Sequence, residues 1–283
     1  MNMKTKQIII AILIAIMAPA LSYAQSSKIV HQNRRVGNFS SIDASGGWDV
    51  IIRQGNTCSV AVEANEDLID HAVTEVRNGV LHIYNERNTR NHFNFGTRNI
   101  IRRVNITVPR LTKIDASGGC DIRFQTPFKA DVFELELSGG CDLEDLRLDC
   151  RHFEGDFSGG VDVSVYFTSV QKIDLDVSGG SDVDLKNIAA KECVVDASGG
   201  CDIDLAGRTD YLSIDAAGGC DVSAFGLRAT RCDATVSGAA DVELYVTDSL
   251  KVSAFGASDV SYKGNPKSIE KDKDRSSSIE KED

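Results

Sequence analysis

Ser178-Gly179-Gly180-Ser181-Asp182 is one copy of a five-residue phrase that recurs along most of this 283-residue chain. Measured from one phrase Asp to the next, the intervals are 72, 21, 20, 20, 20, 19, 20 and 18 residues. Eight copies therefore follow one another with a period near 20, and the first copy stands apart; such a fixed period is typical of a repeat architecture. The nine copies begin at Ser45, Ser117, Ser138, Ser158, Ser178, Ser198, Ala217, Ser237 and Phe255.

Within each repeat, apolar and polar residues alternate with a period of two, which predicts strands. Before Asp182, for example, Leu175 and Ile173 occupy columns that are apolar in most repeats, and Val183 follows in a column that is always aliphatic. The paired glycines permit a tight bend. Stacked copies of such a unit share one core, so the sequence predicts an all-β fold, a right-handed parallel β-helix (β-solenoid) of about 20-residue rungs. The leucine-rich phrase is absent, and a propeller blade needs about twice this period.

The first 24 residues have the pattern of a signal peptide. Lys4 and Lys6 precede an apolar run of 11 residues, which is shorter than the roughly 20 residues that span a bilayer. Small residues then predict cleavage between Ala24 and Gln25. We expect export to the periplasm, the cell surface or the medium, with no transmembrane segment in the mature chain.

Three segments follow the signal peptide. Residues 25–112 contain only the first repeat and are predicted to form an N-terminal β-rich cap, because an open solenoid end is an unpaired edge. Residues 113–262 contain the tandem repeats. Residues 263–283 hold six basic and six acidic residues with almost nothing apolar, which predicts a disordered charged tail.

The charge balance argues against nucleic acid as a main partner, because the formal net charge is −11 and phosphate binding needs a basic surface. Residues 113–262 hold 12 Lys and Arg against 28 Asp and Glu, a net charge of −16. A basic stretch near residues 86–103 is either a contact loop for an acidic polymer or another subunit, or a solvated hairpin loop. Its candidate contact residues are Arg87, Arg90, His92, Phe93, Phe95, Arg98, Arg102 and Arg103.

Two columns of carboxylates flank the glycine corner, and their parity predicts that both face outward. Like charges stacked about 4.8 Å apart repel by roughly 0.9 kcal/mol per neighbour at the dielectric constant of water. Turn N–H groups, bound calcium or raised pKa values can offset this, and an Asp beside a Gly-Gly turn is most often a backbone acceptor. The candidate calcium ligands are Asp121, Asp142, Asp162, Asp182, Asp202, Asp221 and Asp241. The second column holds Asp43, Asp115, Glu136, Asp156, Asp176, Asp196 and Asp215.

No residue pattern points to catalysis or to a required cofactor. His152 is the single His of the repeats, and no His has a sequence neighbour at metal-ligand spacing. A polysaccharide lyase or hydrolase stays an alternative, because two stacked carboxylates imitate a retaining pair. Nine equivalent Asp residues argue instead for a structural role. A purely structural envelope protein is the other alternative.

The eight cysteines present a conflict between compartment and placement. Disulfides are expected in an exported protein. Parity, however, places all eight like small core residues, so Cys58, Cys150, Cys193 and Cys232 are predicted to be free and buried. Cys120 with Cys141, and Cys201 with Cys220, occupy equivalent corner positions on neighbouring rungs and are candidate bridges.

The N-terminal segment resembles the head GIN domain family, exported proteins named as autotransporter adhesins. The resemblance rests on the run from Phe39 to Gly46, on Asp49-Val50, on the turn at Gln54-Gly55 and on the hairpin from Val76 to Tyr84. The run from Val108 to Ile114 and the tandem Ser-Gly-Gly turns extend it over about residues 29–262. It implies a pectin-lyase-like β-helix with an adhesion role and no catalytic residues. We therefore predict an exported, non-catalytic β-solenoid that presents a binding surface to a cell-surface or glycan ligand, either as a monomer or as an oligomer.

Overall fold

The computed structural model describes residues 28–86 and 100–282, and most of these residues lie in strands. Before residue 87 there are six strands and one 3₁₀ helix. Their bounds are β1 (Ile29–Arg34), β2 (Ser41–Ser45), β3 (Asp49–Gln54), β4 (Ser59–Asn65), the 3₁₀ helix (Ile69–His71), β5 (Ala72–Arg77) and β6 (Val80–Asn85).

After residue 100 the described chain continues as strands joined by corners and short bends. Their bounds are β7 (Arg102–Val108), β8 (Lys113–Ser117), β9 (Asp121–Phe124), β10 (Phe128–Lys129), β11 (Val132–Ser138), β12 (Asp142–Asp149), β13 (His152–Gly159), β14 (Asp162–Ser169), β15 (Lys172–Gly179), β16 (Asp182–Gly199), β17 (Asp202–Gly218), β18 (Asp221–Gly238), β19 (Asp241–Gly256), β20 (Asp259–Lys263), β21 (Ser268–Lys273) and β22 (Ser278–Lys281). Each of the strands from β16 to β19 is long enough to carry the chain around almost a whole turn of the solenoid.

Each turn stacks in parallel on the next one. Strand β13 pairs with β15, β15 with β16, and β16 with β17, always in register at the corner, where Gly159, Gly179, Gly199 and Gly218 are successive partners. Equivalent side chains therefore form ladders along the molecule. The predicted parallel β-solenoid is confirmed.

The core is the space enclosed by the turns. The columns predicted to be apolar point inward, so that Ile173 and Leu175 are buried and continue into the buried Cys193 and Val195 of the next turn. Aromatic residues fill part of this core, where Phe124 and Phe128 meet edge to face with ring centroids 5.6 Å apart. Among the described residues no helix is long and apolar enough to cross a membrane.

The first repeat is a turn of the same ladder, although 72 residues separate it from the second repeat. Strand β2 pairs in parallel with β8, and β3 pairs with β9, so that Asp49 and Asp121 are register partners. The intervening chain adds β4, which lies antiparallel between β1 and β7, and the antiparallel hairpin of β5 and β6. The hairpin turns at Asn78-Gly79, where both residues have positive φ. Residue 112 therefore does not divide two packing units.

The prediction of a disordered tail at residues 263–283 is wrong for its described part. Strand β21 pairs in parallel with β19, and β22 pairs with β20, which adds one more turn to the solenoid. The Asp274 carboxylate accepts hydrogen bonds from the N–H groups of Gly256 and Ser277 at 2.9 and 3.0 Å, and Ile279 is buried. Composition did not indicate this, because the edge of the preceding turn offers free backbone groups that an extended polar segment can pair with.

Candidate functional site

The Gly-Gly corner brings the backbones of successive turns into close contact. Gly179 has φ +86°, and a Cβ atom there would lie 2.6 Å from the carbonyl oxygen of Gly159. The N–H of Gly180 donates to that same oxygen at 2.7 Å. Only glycine fits at the first glycine position of the phrase. The close backbone contact there fixes the register of the strands on either side of the corner.

The phrase carboxylates leave this corner as one continuous outward ladder. Their Cα atoms are register partners from Asp121 to Asp259, and their side chains are exposed, as parity predicted. Four of these strands carry a second acidic residue two positions further along, namely Glu144, Asp184, Asp204 and Glu243. A shallow groove of about 470 Å³ follows both rows, and its acidic lining is Asp142, Glu144, Asp162, Asp182, Asp184, Asp202 and Asp204.

The corner N–H groups bind backbone carbonyls of the preceding turn instead of these carboxylates. The N–H of Asp182 donates to the carbonyl of Val161 at 2.9 Å, and the same bond recurs at the neighbouring corners. These N–H groups are therefore already paired, and the expected role of the phrase carboxylates as turn acceptors stays a prediction. At Asp241, burial and then the charges of Asp221 and Asp259 raise the pKa, and a hydrogen bond from the Asp259 backbone opposes this rise only in part. In the stacked turns these backbone N–H groups donate to carbonyl groups, whereas in an isolated turn they would be available to a carboxylate.

Burial and neighbouring charges raise pKa values in both carboxylate columns. Partial burial, and then the charges of Asp162 and Asp121, raise the pKa of Asp142. In the second column, burial and then the charge of Asp176 raise the pKa of Asp156. Local hydrogen bonds thus leave much of the repulsion uncompensated. Calcium at the phrase ladder stays a prediction, in keeping with the preference of that ion for carboxylate oxygens.

One cluster of ligand-type side chains was missed by the sequence analysis. His152 Nε2 lies 2.7 Å from Asp174 Oδ2, and His152 Nδ1 lies 3.2 Å from Glu154 Oε1. The period would have found this cluster, because Asp174 lies one 20-residue turn beyond Glu154. Lys172 Nζ also contacts Asp174 Oδ2, at 2.7 Å. Burial alone would raise the pKa of Asp174, but the hydrogen bonds from Lys172 and His152 outweigh it and lower that pKa. Lys172 already binds the Asp174 carboxylate, so we describe the cluster as a network of ion pairs and hydrogen bonds.

The corner cysteines share one structural role. Cys141 Sγ lies 3.2 Å from the carbonyl oxygen of Ser138, three residues earlier, and Cys220 Sγ lies 3.3 Å from that of Ala217. Ser181 occupies the same column and donates its hydroxyl to the equivalent carbonyl at 3.1 Å. The column thus favours a small buried donor. The Sγ atoms of the stacked Cys201 and Cys220 lie 2.9 Å apart as free thiols, and the two candidate bridges stay predictions.

The other cysteines divide by burial. Cys193 and Cys232 lie in the apolar column beside Leu212, and both are fully buried. Burial raises the pKa of Cys193, and likewise of Cys150, to about 12. Cys58 is only half-buried, so the predicted burial is confirmed for three of the four.

The hypothetical contact loop is described only at its C-terminal end. Arg102 Nη1 donates to the carbonyl oxygen of Gly46 at 3.4 Å, and Arg103 Nη2 lies 3.3 Å from Asp49 Oδ2. These two guanidinium groups therefore brace the first corner. The remaining candidates lie outside the described residues: Arg87, Arg90, His92, Phe93, Phe95 and Arg98.

Solved structures with the same architecture include proteins from two Parabacteroides species. A putative lipid binding protein from Parabacteroides distasonis is 22% identical, with a TM-score of 0.66 over 90% of this chain and 97% of that chain. A putative adhesin from the same species is 20% identical, with a TM-score of 0.63 over 90% and 98%. A putative adhesin from Parabacteroides merdae is 17% identical, with a TM-score of 0.62 over 90% and 97%. At these identities the likeness shows the fold alone. No curated protein matches the sequence.

A family model gives the relationship directly. It matches residues 38–205 and again residues 156–266, so the two overlapping matches cover more than half of the chain and nearly every repeat. The resemblance predicted from the first corner and the tandem Ser-Gly-Gly turns is thereby confirmed. The chain belongs to the family described as "putative auto-transporter adhesin, head GIN domain".

Proposed function

We propose that this protein is an exported, non-catalytic adhesin whose solenoid presents its outward side chains to a cell-surface or glycan ligand. The observation that carries the proposal is the repetition of exposed side chains in unbroken ladders beside the corner, within a family described as adhesins. Stacked repeats create extended surfaces on which many equivalent contacts add together. Such a surface suits the binding of a polymer or of a crowded cell surface.

Export is the second part of the proposal. It rests on the signal-peptide pattern of residues 1–24, which lie outside the described residues. A mature chain that begins at Gln25 would reach the periplasm, the cell surface or the medium. Mass spectrometry of the extracytoplasmic protein tests this, and a chain that retains the apolar run would contradict it.

A binding role accounts for the carboxylates better than a polysaccharide lyase or hydrolase does. A catalytic pair needs one acid and one base with different environments. Along the phrase ladder, in contrast, each carboxylate from Asp142 to Asp241 has the same neighbours above and below. Repetition of that kind is expected of a surface, whereas catalysis requires one singular position.

The test is a binding screen of the mature chain against a glycan array and intact bacterial and epithelial cells. We expect saturable retention on at least one class of surface, and loss of retention after thermal unfolding. Products of each retained glycan should be analysed in parallel by mass spectrometry. Absence of retention on every surface, or turnover of a glycan into shorter or unsaturated products, would overturn the proposal.

A further inference from the structure

The edge of the solenoid opposite the Gly-Gly corner carries a different set of side chains. We call it the far edge and define it by residues 186–191, 206–211, 225–231 and 245–247 of four successive turns. Here Ala189, Arg208, Arg228 and Tyr245 are consecutive register partners. Two arginines are thus stacked directly on one another in a region whose net charge is −16.

These arginines border a groove of about 450 Å³. Lys191 adds a third cation, Thr230 and Thr247 add hydroxyl groups, and Asp210 is the one carboxylate of the lining. Thr247 Oγ1 donates to the carbonyl of Ala229 at 3.1 Å, so its oxygen keeps acceptor capacity for another hydroxyl.

In the described part of the chain, the three cations of this groove have no carboxylate partner. Many basic side chains elsewhere on the solenoid do bind acids, as Lys113 does with Glu134 at 2.7 Å and Lys267 with Asp248 at 2.7 Å, whereas Arg147 and Lys251 have no ion pair with a described residue. Among residues 28–86 and 100–282, no ion pair within 4.0 Å involves Lys191, Arg208 or Arg228. All three are exposed, and the like charges of the stacked guanidinium groups repel.

An aromatic contact orders one of the two guanidinium groups. Arg228 Cζ lies 5.9 Å from the ring centroid of Tyr245, one turn further along. A cation held against a ring loses less side-chain entropy when it binds an anion. The fork of an arginine matches the geometry of a carboxylate or a sulfate, and two stacked arginines offer two such forks.

We propose that this groove binds the carboxylate or sulfate groups of an acidic saccharide. The proposal rests on the proposed adhesive function and names a ligand class for one face of the solenoid, the far edge, separate from the corner ladders. Arg208 and Arg228 bind the anionic groups, Lys191 adds a third positive charge, and Thr230 and Thr247 contact sugar hydroxyls. The acidic ladders beside the corner repel a polyanion, which favours contact at the far edge over contact at the corner. Three cations on an acidic molecule are too few for nucleic acid, whose affinity comes from many phosphate contacts.

Calorimetric titration of the mature chain tests the groove with three probes: tetragalacturonate for carboxylates, a heparin tetrasaccharide for sulfates, and maltotetraose as the neutral control. We expect one or both acidic probes to bind, maltotetraose not to bind, and affinity to fall as salt rises. The double variant Arg208→Gln/Arg228→Gln should bind at least tenfold more weakly. Its melting temperature should stay near that of the wild type, because the substitution removes only exposed charges.

The matched control is Arg147→Gln. Arg147 is exposed, also lies over a tyrosine ring, with Cζ 5.6 Å from the centroid of Tyr166, and has no second arginine beside it. The affinity of the Arg147→Gln variant for the acidic probes should equal that of the wild type. Equal binding by the double variant, equal loss in the control, or binding of neither acidic probe overturns the assignment. If the wild type is still retained on cells or on neutral glycans, only the assignment of the groove fails; if it is retained nowhere, the adhesin proposal fails as well.

Discussion

The Gly-Gly corner and the far edge belong to the same turns but differ in how regularly successive turns pair. At the corner, residues 172–179 pair with 192–199 without a shift in register. At the far edge the register shifts between Leu185 and Ile188, and again between Asp204 and Gly207. Backbone contact restricts the corner, so its sequence repeats and its chemistry is uniform. The far edge has no such restriction, and singular combinations such as stacked arginines occur there.

The largest expected effect is on the corner itself. In Gly179→Ala, a methyl group at φ +86° would meet the Gly159 carbonyl oxygen at 2.6 Å. Strain and steric overlap should lower the free energy of unfolding by roughly 2–4 kcal/mol, measured by urea denaturation.

The neighbouring glycine supplies the control for this variant. A Cβ atom at Gly180 would lie 4.0 Å from its nearest neighbour, the carbonyl oxygen of Gly200. Gly180→Ala should therefore change stability by much less. Equal losses in the two variants would show that the corner does not depend on the close approach at its first glycine.

A smaller effect separates the corner column from the core column, each of which contains cysteines. Cys193→Ser places a hydroxyl among Ile173 and Leu212, where the thiol has no hydrogen-bond partner in the described structure. Burial of an unpaired hydroxyl should destabilise the protein by about 1–3 kcal/mol. Cys201→Ser should be nearly neutral, because Ser181 already fills that column and donates to the carbonyl of Ser178. Thermal unfolding under reducing conditions measures both, and a larger loss for Cys201→Ser would contradict the distinction.

The sequence was sufficient for the repeated parts of the molecule and insufficient for the rest, for physical reasons. A fixed period and alternating polarity determine the ladder, so the buried Ile173 and Leu175 and the exposed Asp182 were all predicted. Far-edge register shifts depend on single residues with positive φ, such as Asn187 at +58°, which no period reveals. Pairing of the tail depends on backbone groups offered by the preceding turn, and the His152 network joins side chains of two turns. Neither is visible in local composition.

Charge repulsion along the corner ladders should give stability a characteristic dependence on pH. The pKa values of Asp121, Asp142 and Asp156 are raised above the ordinary value of 3.8, chiefly by burial and then by neighbouring carboxylates. Because these carboxyls hold protons more tightly in the folded state, stability should rise as pH falls from neutrality towards about 4. Paired carboxylates such as Asp174, whose pKa is lowered, oppose this trend from about pH 5 downward, because the unfolded chain takes up their protons first. The melting temperature at pH 4.5 should therefore exceed that at pH 7.

The smallest expected effect is that of one ladder charge, removed in Asp142→Asn. Its neighbours Asp121 and Asp162 each repel it by roughly 0.9 kcal/mol at the dielectric constant of water, and salt screening at physiological ionic strength reduces this. We expect the variant to be about 0.5–1 kcal/mol more stable at pH 7, and to gain less stability than the wild type on acidification. Asp174→Asn is the matched control of opposite sign, since it weakens the contacts with Lys172 and His152 and should destabilise at pH 7. Thermal melts of both variants and of the wild type at pH 4.5 and pH 7 measure these changes in stability. A loss of stability in Asp142→Asn would mean that a partner such as a bound cation holds the ladder carboxylates. The corner would then bind that partner as well as pair the backbones of successive turns.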